Sequence, residues 1–496
     1  MVLGAQETRT KIVCTVGPAS SDPEILRALI RAGMDVARIN FSHGTHAEHA
    51  DSIEHLRRVA DEEHATVAIL ADLQGPKLRL GELSSPIDLK PGDWIALTEG
   101  SADGEAHVLP VPHPELIRGA RVGGRWLFDD GTVEAIIREV RPRAVIAQVV
   151  VGGRLSSCKG VNAPGATGAL VALTEKDGAD AAFAASQGVD FVALSFVQSE
   201  KDLTTLRETL DRCPGGRGIA LVAKIETRGA IDALDAILGA CDAAMVARGD
   251  LGLEISPHEL PVLQKQIIRR CNRLGIPVIT ATQMLQSMVG HPRPTRAETS
   301  DVANAILDGT DAIMLSAETA VGQHPVKAVD VLREVSASTE RTLATSDFQL
   351  ESAEGLSSDG AHRIADAVCD ATARMASAVN AHLIVTVTAS GYTARRIARQ
   401  RPLQPVVALT PNAQVLRQLA LVWGVAPLSV PPFDGADAML ESVSRSLLDV
   451  GYASHGDVVV VAAGLPTRGA GTTNLLKVHR INGNPSLPHA SSTTEV

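Results

Sequence analysis

The chain has 496 residues, which is too long for one hydrophobic core and predicts two or three domains. Hydrophobic residues make up 45% and charged residues 21% of the chain, a balance typical of a soluble globular enzyme. Aromatic residues make up only 2% and the net charge is −11. This composition argues against nucleic-acid-binding modules, which stack bases on aromatic side chains and attract phosphates with basic ones. We therefore expect no nucleic-acid partner.

The cysteines and the hydropathy pattern predict a cytoplasmic protein. The N-terminal segment MVLGAQETRTKIVCTVGP has no signal-peptide h-region, and no apolar run approaches the ~18 residues of a transmembrane helix. No membrane partner is expected. The cysteines have no CxxC spacing and lie mostly in apolar stretches, which favours reduced thiols over disulfides or zinc sites. They are Cys14, Cys158, Cys213, Cys241, Cys271 and Cys369.

Short apolar runs recur along the first two thirds of the chain, and each is followed by a helix-like segment. Near-continuous apolar strands that alternate with helices predict a parallel sheet buried on both faces, and eight of them predict a (β/α)₈ barrel. The carboxyl ends of the runs read RIN, ADLQ, KIE, ARGD, TATQ and SAET, which indicates one polar site at the barrel mouth. The runs are residues 11–15, 35–40, 66–72, 191–196, 220–226, 243–250, 277–282 and 312–318.

Two further domains are predicted around this TIM barrel. Short β-like runs separated by Pro-Gly, Asp-Gly and Gly-Gly predict a small β-barrel lid domain inserted after the third strand. Alternating helix-like and strand-like runs near the C-terminus predict an open α/β sheet. The predicted limits are 1–73 and 166–345 for the catalytic barrel, 74–165 for the lid, 346–360 for a linker, 361–482 for the regulatory α/β domain and 483–496 for a flexible tail.

Carboxylates and a lysine end two neighbouring strands of the predicted barrel. Lys224 and Glu226 are two residues apart, so their side chains point to the same side of the strand. Glu226 and Asp250 form an all-oxygen pair suited to Mg²⁺, which prefers one or two carboxylates plus water and substrate oxygens. Gly249 allows close approach of a ligand to the backbone. The alternatives are a structural ion pair for Lys224 and Glu226, and a helix N-cap for Asp250.

Phosphate-binding side chains end the second strand. Arg38 and Asn40 share one face, and the arginine offers a planar fork for a phosphate group. His43 could be part of the same site, or it could simply belong to the cap that starts the next helix.

The turn after the third strand and the end of the seventh add further polar groups. A Gly-Pro turn presents Lys77 and Arg79 to the opening. Thr282 is either a hydroxyl that relays a proton or a hydrogen-bonding cap. Cations, Mg²⁺-type carboxylates and hydroxyls at one rim suit phosphoryl transfer, in which catalysis is mostly positioning and charge neutralisation. The chain has neither a Walker A motif nor a kinase-type GxGxxG.

Long motifs in a fixed order resemble the pyruvate kinase family. They are RINFSHGT, LQGPKLR, FDDGTV, CKGVNAPG, LVAKIET, VARGDLGLEI, PVITATQML and RAETSDVANAILDGTDAIMLSAETAVGQHPVKAV. The resemblance covers nearly the whole chain. It implies transfer of the phosphoryl group of phosphoenolpyruvate to ADP, giving pyruvate and ATP in the last step of glycolysis. It also implies a homotetramer.

The resemblance implies roles for individual residues at the barrel mouth. Lys224 would stabilise the charge on the transferring group, and Thr282 would line the face where the enolate is protonated. Asp129 or Asp130 of the lid would move in on closure. The substrate positions are Arg38, Lys224, Gly249, Asp250 and Thr282, the Mg²⁺ (or Mn²⁺) ligands are Glu226 and Asp250, and the nucleotide positions are Asn40, Phe41, Ser42, His43, Arg79 and Lys159.

The turn after the third strand departs from most family members. Many members bind K⁺ through positions that match Asn40, Ser42, Asp72 and Leu73, and carry a glutamate where this chain has Lys77. The resemblance is to the K⁺-independent branch, in which a tethered ammonium supplies the positive charge. We therefore predict that K⁺ is not required. The alternative is that Lys77 is a surface cation and K⁺ still binds.

The C-terminal domain contains a hydroxyl-rich loop between a strand and a helix, and a Gly-rich loop at residues 466–473. Backbone N–H groups and hydroxyls at a helix N-terminus can bind an anion, although on the residue pattern alone ordinary turn chemistry is the preferred explanation of both loops. The resemblance identifies this domain as the allosteric one. It implies a phosphorylated effector, a sugar phosphate or AMP, bound by Thr388, Ser390, Gly391 and Thr393.

Two other functions remain open at this point. Other phosphoenolpyruvate-handling barrels, such as a mutase or an Mg²⁺-dependent aldolase, also use acidic residues and arginine at strand ends. A catalytically inactive homologue that only binds effectors is the second alternative. The presence of Lys224, Glu226, Asp250 and Thr282 argues against it.

Overall fold

The computed structural model describes residues 8–76, 78–99, 107–165, 171–345, 360–464 and 473–481. They divide into two compact units: Ile12–Leu332, and the described residues on either side of that range. Among the described residues, no helix combines the length and apolar character that crossing a bilayer requires. All six cysteines are free thiols, as predicted.

Eight parallel strands close into a barrel in the first unit, which confirms the predicted fold. Around the ring the order is β1-β16-β15-β14-β13-β12-β3-β2, so β3 and β12 are neighbours although the inserted domain separates them in sequence. Every residue of β3 and β12–β16 is buried, as expected for strands covered on both faces. The strands are β1 (Lys11–Val16), β2 (Val36–Asn40), β3 (Ala68–Asp72), β12 (Phe191–Leu194), β13 (Ala220–Ile225), β14 (Ala243–Ala247), β15 (Val278–Ala281) and β16 (Ala312–Leu315).

Helices follow the barrel strands, and reciprocal capping boxes at Thr45, Thr174 and Thr295 fix where three of them begin. The helices are α1 (Pro23–Ala32), α2 (His46–Glu62), α4 (Glu175–Ser186), α5 (Glu200–Arg212), α6 (Arg228–Asp232), α7 (Leu234–Ala240), α8 (Arg248–Glu254), α9 (Leu260–Leu274), α10 (Arg296–Leu307), α11 (Ala317–Ala320) and α12 (Pro325–Thr345).

The insert between β3 and β12 is built from strands, as predicted, with one short helix, α3 (Pro114–Gly119). Its strands pair as a six-stranded sheet in the order β11-β7-β8-β9-β5-β6 and a two-stranded sheet of β10 and β4. Trp126 and Phe128 are the largest side chains of its core. The strands are β4 (Ile87–Leu89), β5 (Trp94–Thr98), β6 (Val108–Pro110), β7 (Arg125–Phe128), β8 (Val133–Arg141), β9 (Ala144–Val151), β10 (Gly153–Leu155) and β11 (Val161–Asn162).

The C-terminal part is an open α/β sheet in the order β19-β18-β17-β20-β21, with separate apolar clusters on its two faces. Four strands are parallel, and β21 runs antiparallel at the edge. The elements are α13 (Gly360–Ala378), β17 (Leu383–Val387), α14 (Tyr392–Ala398), β18 (Val406–Thr410), α15 (Ala413–Gln418), β19 (Val425–Ser429), α16 (Ala436–Asp449), β20 (Val458–Gly464) and β21 (Thr473–Arg480).

The sequence analysis did not identify β19 or β21. β19 contains a proline and is mostly half-buried, and β21 is mostly solvent-accessible, so neither has the buried apolar run by which the other strands of this sheet were recognised. The predicted domain limits stay a prediction. Most of the predicted linker and the predicted C-terminal tail lie outside the described residues.

Candidate active site

Lys224 lies at the centre of the polar groups at the carboxyl end of the barrel. Its ammonium Nζ is 2.9 Å from Glu226 Oε1 and 3.3 Å from Asp72 Oδ1. It also donates a hydrogen bond of 2.7 Å to Ser195 Oγ. Burial acts to lower the pKa of Lys224, but the carboxylates around it outweigh burial and raise the pKa above its ordinary value. The lysine is therefore a permanent, desolvated positive charge at the barrel mouth.

Arg38 and Lys224 share one buried carboxylate. Arg38 Nε donates to Asp72 Oδ2 at 2.6 Å, and Arg38 Nη1 donates to Thr15 Oγ1 at 3.0 Å. Burial acts to raise the pKa of Asp72, yet the two cations overcome it and lower the pKa. Asp72, a predicted monovalent-cation position, thus holds both cations in place in this structure.

Glu226 and Asp250 provide the candidate metal-binding carboxylates. Glu226 Oε2 accepts a hydrogen bond of 2.8 Å from the Phe196 N–H, and Oε1 faces Lys224 without a hydrogen bond of normal geometry. Burial raises the pKa of Glu226, the charge of Asp250 adds to the effect, and Lys224 opposes it. Burial likewise raises the pKa of Asp250, with Lys224 opposing.

These carboxylates fit a divalent cation. Two buried acids whose charged forms are disfavoured would be relieved by added positive charge. Mg²⁺ commonly takes one or two protein carboxylates and completes its shell with water and substrate oxygens. Across the described ranges, no group of three or more His, Cys, Asp or Glu side chains is arranged as an all-protein cage.

The start of α8 brings Gly249 and Thr282 together. The Gly249 N–H donates to Thr282 Oγ1 at 2.8 Å, so the threonine hydroxyl acts at least as a hydrogen-bonding cap. α8 begins at Arg248, which places Asp250 in its first turn and excludes the N-cap alternative. Thr282 has a φ of +68°, an unfavourable conformation for a β-branched residue. Such strain is characteristic of functional sites.

The Arg248 side chain supports this strained segment through hydrogen bonds. It is 8% exposed and donates to the Thr282 carbonyl at 2.6 Å and to Asp301 Oδ1 at 2.9 Å. The sequence analysis assigned no role to the Arg248 side chain. Its guanidinium is a positioning group that fixes the end of β15.

The predicted nucleotide positions Asn40, Phe41, Ser42 and His43 form a tight loop after β2. Asn40 Oδ1 accepts from the Ser42 N–H at 3.1 Å, and Asn40 O accepts from the His43 N–H at 3.3 Å. The buried Phe41 donates its N–H to the Asp72 carbonyl at 3.0 Å. The N-cap of α2 is Thr45, so His43 is not needed to start that helix.

The lid contributes charged groups close to the barrel mouth. Lys159 Nζ is 2.8 Å from Asp129 Oδ1, and the charge of Asp130 contributes to the raised pKa of Asp250. Arg79 donates its N–H to His113 Nε2 at 3.3 Å. Lys77 lies outside the described residues.

The predicted effector positions lie in the loop between β17 and α14 and, for Thr393, in the first turn of α14. Thr388 Oγ1 accepts from the N–H of Gly391, which has a φ of +77°. Thr393 is buried, and its hydroxyl oxygen is 2.6 Å from Thr473 Oγ1. The Ser390 carbonyl accepts from Arg395 Nη1 at 3.3 Å. The loop thus combines a left-handed glycine, hydroxyls and a nearby guanidinium. The Gly-rich loop up to residue 472 lies outside the described residues.

Ser195 and Phe196 are site residues that the sequence analysis missed. Ser195 Oγ donates to the Leu73 carbonyl at 2.8 Å and accepts from Lys224, and Phe196 supplies the N–H that binds Glu226. Both follow the buried strand β12. The sequence signal that could have identified Ser195 is a hydroxyl side chain at the end of an apolar run. Phe196 also has a φ of +55°, which only the structure reveals.

Comparison with known proteins gives matches over nearly the whole chain. Residues 7–329 match the family model "Pyruvate kinase, barrel domain" and residues 366–479 match "Pyruvate kinase, alpha/beta domain". A pyruvate kinase of Geobacillus stearothermophilus is 44% identical over 477 residues, 96% of this chain and 80% of that protein. Pyruvate kinase 2 of a Synechocystis species is 44% identical over 475 residues, 95% of this chain and 79% of that protein. The crystal structure of a pyruvate kinase from Cryptosporidium parvum superimposes with a TM-score of 0.88 at 34% identity, covering 96% of both chains.

Proposed function

The chain belongs to the pyruvate kinase family, and from this premise we propose how its barrel mouth moves the phosphoryl group of phosphoenolpyruvate to ADP. The activity is that of a phosphotransferase, with pyruvate and ATP as products. The observation that carries the proposal is the buried Lys224 ammonium, 2.9 Å from Glu226 and 3.3 Å from Asp72, which also binds Arg38. Two cations that are already in place can receive an anionic substrate without reorganisation.

The main barrier to this reaction is electrostatic, because a phosphorylated substrate and a nucleoside diphosphate repel each other. Arg38 would bind the phosphoryl group with its guanidinium fork, and Lys224 would stabilise the charge that develops on the transferring group and on the enolate oxygen. Attack in line by an ADP oxygen then breaks the enol phosphate bond. Asp72, which contacts both cations, holds them in place.

Mg²⁺ would be held by Glu226 and Asp250, and Mn²⁺ could replace it. When bound, the ion supplies positive charge that neutralises and orients substrate oxygens. The raised pKa values of the two buried carboxyls support this assignment, because the site disfavours its own negative charge.

The end of β15 would serve the second half of the reaction, in which the enolate gains a proton. The hydroxyl of Thr282 is fixed by the Gly249 N–H at 2.8 Å and faces the same mouth. We assign it to the face where the proton arrives. The backbone of Gly249 and Asp250 would receive the substrate carboxylate. A Cβ at Gly249 would lie 3.6 Å from Thr282 Oγ1, so the protein itself leaves room for a side chain there, and the glycine is better explained by a ligand.

The loop after β2 and the lid would bind the nucleotide. We assign Asn40, Phe41, Ser42 and His43 to the loop side, and Arg79 and Lys159 to the lid side. Lys159 forms an ion pair with Asp129 at 2.8 Å, which holds its ammonium beside a lid aspartate. On lid closure, Asp129 or Asp130 would approach the barrel mouth.

Three further properties belong to the same proposal. The protein would act in the cytoplasm and assemble as a homotetramer, as the resemblance implies. The β17–α14 loop, with Thr388, Ser390, Gly391 and Thr393, would bind a phosphorylated effector, either a sugar phosphate or AMP. Its support is the left-handed glycine, the hydroxyls and the nearby Arg395 guanidinium described above.

A coupled assay tests the central proposal. Purified protein receives phosphoenolpyruvate, ADP and MgCl₂, and lactate dehydrogenase with NADH reports pyruvate while luciferase reports ATP. We expect equal amounts of both products and no turnover in excess EDTA. Pyruvate without ATP would indicate a different phosphoenolpyruvate-handling barrel. Binding of phosphoenolpyruvate without either product would indicate an inactive homologue.

A further inference from the structure

The first two turns of α4 contact the loop after β2 and the turn after β3. Lys176 Nζ donates to the Phe41 carbonyl at 3.0 Å, and Asp180 Oδ1 is 2.7 Å from His46 Nε2. Asp177 Oδ1 accepts from the Gly75 N–H at 3.0 Å. Residues 176, 177 and 180 lie on one face of a helix, which is why a single helix can reach both segments.

Asp180 is the centre of this contact. The residue is 3% exposed, and its second oxygen, Oδ2, accepts from Lys176 Nζ at 2.5 Å. A buried carboxylate is costly unless it is paired and hydrogen-bonded. Here the partners are Lys176, which also donates to the Phe41 carbonyl, and His46, which ends the loop after β2. Asp180 therefore links the two ends of the segment from Phe41 to His46.

Aromatic packing reinforces the same segment. The His46 ring stacks on Phe183 of α4 with centroids 4.2 Å apart and planes at 7°. The Phe41 ring packs edge-on against Phe183 at 6.0 Å. Both ends of the segment are thus held by a hydrogen bond and by a ring contact, while His43 and Gly44 between them are exposed.

The turn after β3 is fixed just as tightly. Gly75 has a φ of +67°, and a Cβ there would lie 2.8 Å from Ser195 Cβ. Asp177 is fully buried and also accepts hydrogen bonds from the N–H and hydroxyl of Thr174, which makes the N-terminal capping box of α4 part of the contact. The start of the helix and the position of the turn are therefore one unit.

We propose that Lys176, Asp180 and His46 form a positioning network that holds the Phe41–His46 loop in the conformation that binds a nucleoside diphosphate. The inference rests on the proposed nucleotide role of that loop. None of the three needs to touch the substrate. A loop that is already ordered loses less conformational entropy on binding, so the network sets nucleotide affinity rather than the rate of phosphoryl transfer.

The expected effect is specific to one substrate. Lys176→Met removes the ammonium but keeps the length of the side chain, and Asp180→Asn keeps the shape of Asp180 but removes its charge. Loss of one charge-assisted hydrogen bond that orders the loop should raise the KM for ADP by about tenfold. The kcat at saturating ADP and the KM for phosphoenolpyruvate should change less than about twofold. Lys176→Arg should restore most of the affinity for ADP.

Matched controls separate positioning from general stability. Lys265→Met removes a lysine of similar exposure that pairs with Asp308 away from this loop, and it should leave both KM values unchanged. The unfolding temperature of every variant is measured alongside. If Lys176→Met and Asp180→Asn leave the KM for ADP unchanged, or raise both KM values equally, the inference is wrong.

Direct binding keeps this inference independent of turnover. Isothermal titration of ADP with MgCl₂ into wild-type protein and Lys176→Met should show the same tenfold weakening of the dissociation constant. If the wild type made no ATP but still bound ADP more tightly than the variant, the proposed activity would fail and the positioning network would stand. If the two proteins bound ADP equally, the network would fail whatever the activity.

Discussion

At the scale of single residues, charge balance decides how the barrel mouth works. Lys224 is buried, and burial by itself would favour its neutral form. Asp72 and Glu226 reverse that preference at distances of 3.3 and 2.9 Å. The same lysine keeps Asp72 charged, with Arg38 contributing. Each of these groups therefore depends on the others for its protonation state.

Replacing Lys224 by methionine should abolish most of the activity. The variant keeps the length of the side chain but removes the charge that stabilises the transition state, so kcat should fall by a factor on the order of 10²–10⁴. The coupled assay measures this loss. Lys265→Met serves again as the control, and a Lys224→Met variant within tenfold of wild-type kcat would contradict the assigned role.

Glu254 predicts a pH dependence of stability at the seam between α8 and the lid. The residue is 8% exposed, and burial raises its pKa from 4.5 to about 7, although the Arg228 backbone and the Asn162 side chain of the lid oppose the shift. The folded protein then keeps this proton up to a higher pH than the unfolded chain. The contribution to the free energy of unfolding is therefore full below about pH 4.5 and is lost as pH rises towards and through 7.

Glu254→Gln removes the titrating group and should therefore remove this loss of stability as pH rises. The free energy of unfolding of the variant, relative to wild type, should rise between pH 5 and pH 8 by an amount on the order of 2–3 kcal/mol. Urea titrations at each pH measure it. Glu208→Gln, an exposed carboxyl paired with Arg212 at 3.3 Å, is the control and should show no such trend. A constant difference for Glu254→Gln would refute the prediction.

At the scale of elements, the loops at the carboxyl ends of the strands carry the function, and the strands fix their position. The turn after β3 requires a glycine at position 75, because its positive φ and the 2.8 Å distance from a Cβ at that position to Ser195 leave no room for a side chain. The turn it forms leads directly to Lys77, and the loop at Gly391 leads into α14 in the same way.

The turn after β3 predicts independence from potassium. Both oxygens of Asp72 already face the cations Arg38 and Lys224. The resemblance assigns Lys77, which lies outside the described residues, as the replacement for the ion. Titration of KCl from zero to 100 mM, with tetramethylammonium chloride holding ionic strength constant, should change kcat less than about twofold, because a tethered charge needs no free ion.

Lys77→Met should make the enzyme respond to KCl, while Lys90→Met, an exposed lysine of the insert, should not. Strong activation of the wild type by KCl at saturating substrate would overturn the assignment of Lys77 as the replacement for the ion.

The loop between β17 and α14 predicts the effector response. Ser390→Asp introduces a negative charge beside the proposed phosphate site, which should abolish activation by AMP or glucose 6-phosphate through repulsion and leave the basal rate intact. Ser390→Ala is the control and should respond nearly as wild type does. An unchanged response of Ser390→Asp to both compounds would reject this loop as the effector site.

At the scale of the whole molecule, ring closure assembles the site. β3 and β12 are far apart in sequence but adjacent in the barrel, with Ala71 opposite Val192 and Ala193 opposite Asp72. This pairing places Ser195 beside Leu73 and Lys224, and it places α4 against the loops after β2 and β3. The insert leaves the ring at the same point, which puts its Lys159 and Asp129 near the mouth.

The sequence by itself determined the eight barrel strands, the strand-built character of the insert and most of the C-terminal sheet, because buried strands need apolar runs and the turns between them do not. It also singled out Lys224, Glu226, Asp250, Arg38 and Thr282 as candidate site residues, since polar residues have no packing reason to end a buried strand. Only the tertiary structure decided which carboxylate holds which cation, the strain at Thr282, and the roles of Ser195 and of α4. Most of those depend on contacts between residues distant in sequence, such as Gly249 with Thr282 (33), Arg38 with Asp72 (34), Ser195 with Leu73 (122) and Lys176 with Phe41 (135), and no local pattern encodes them.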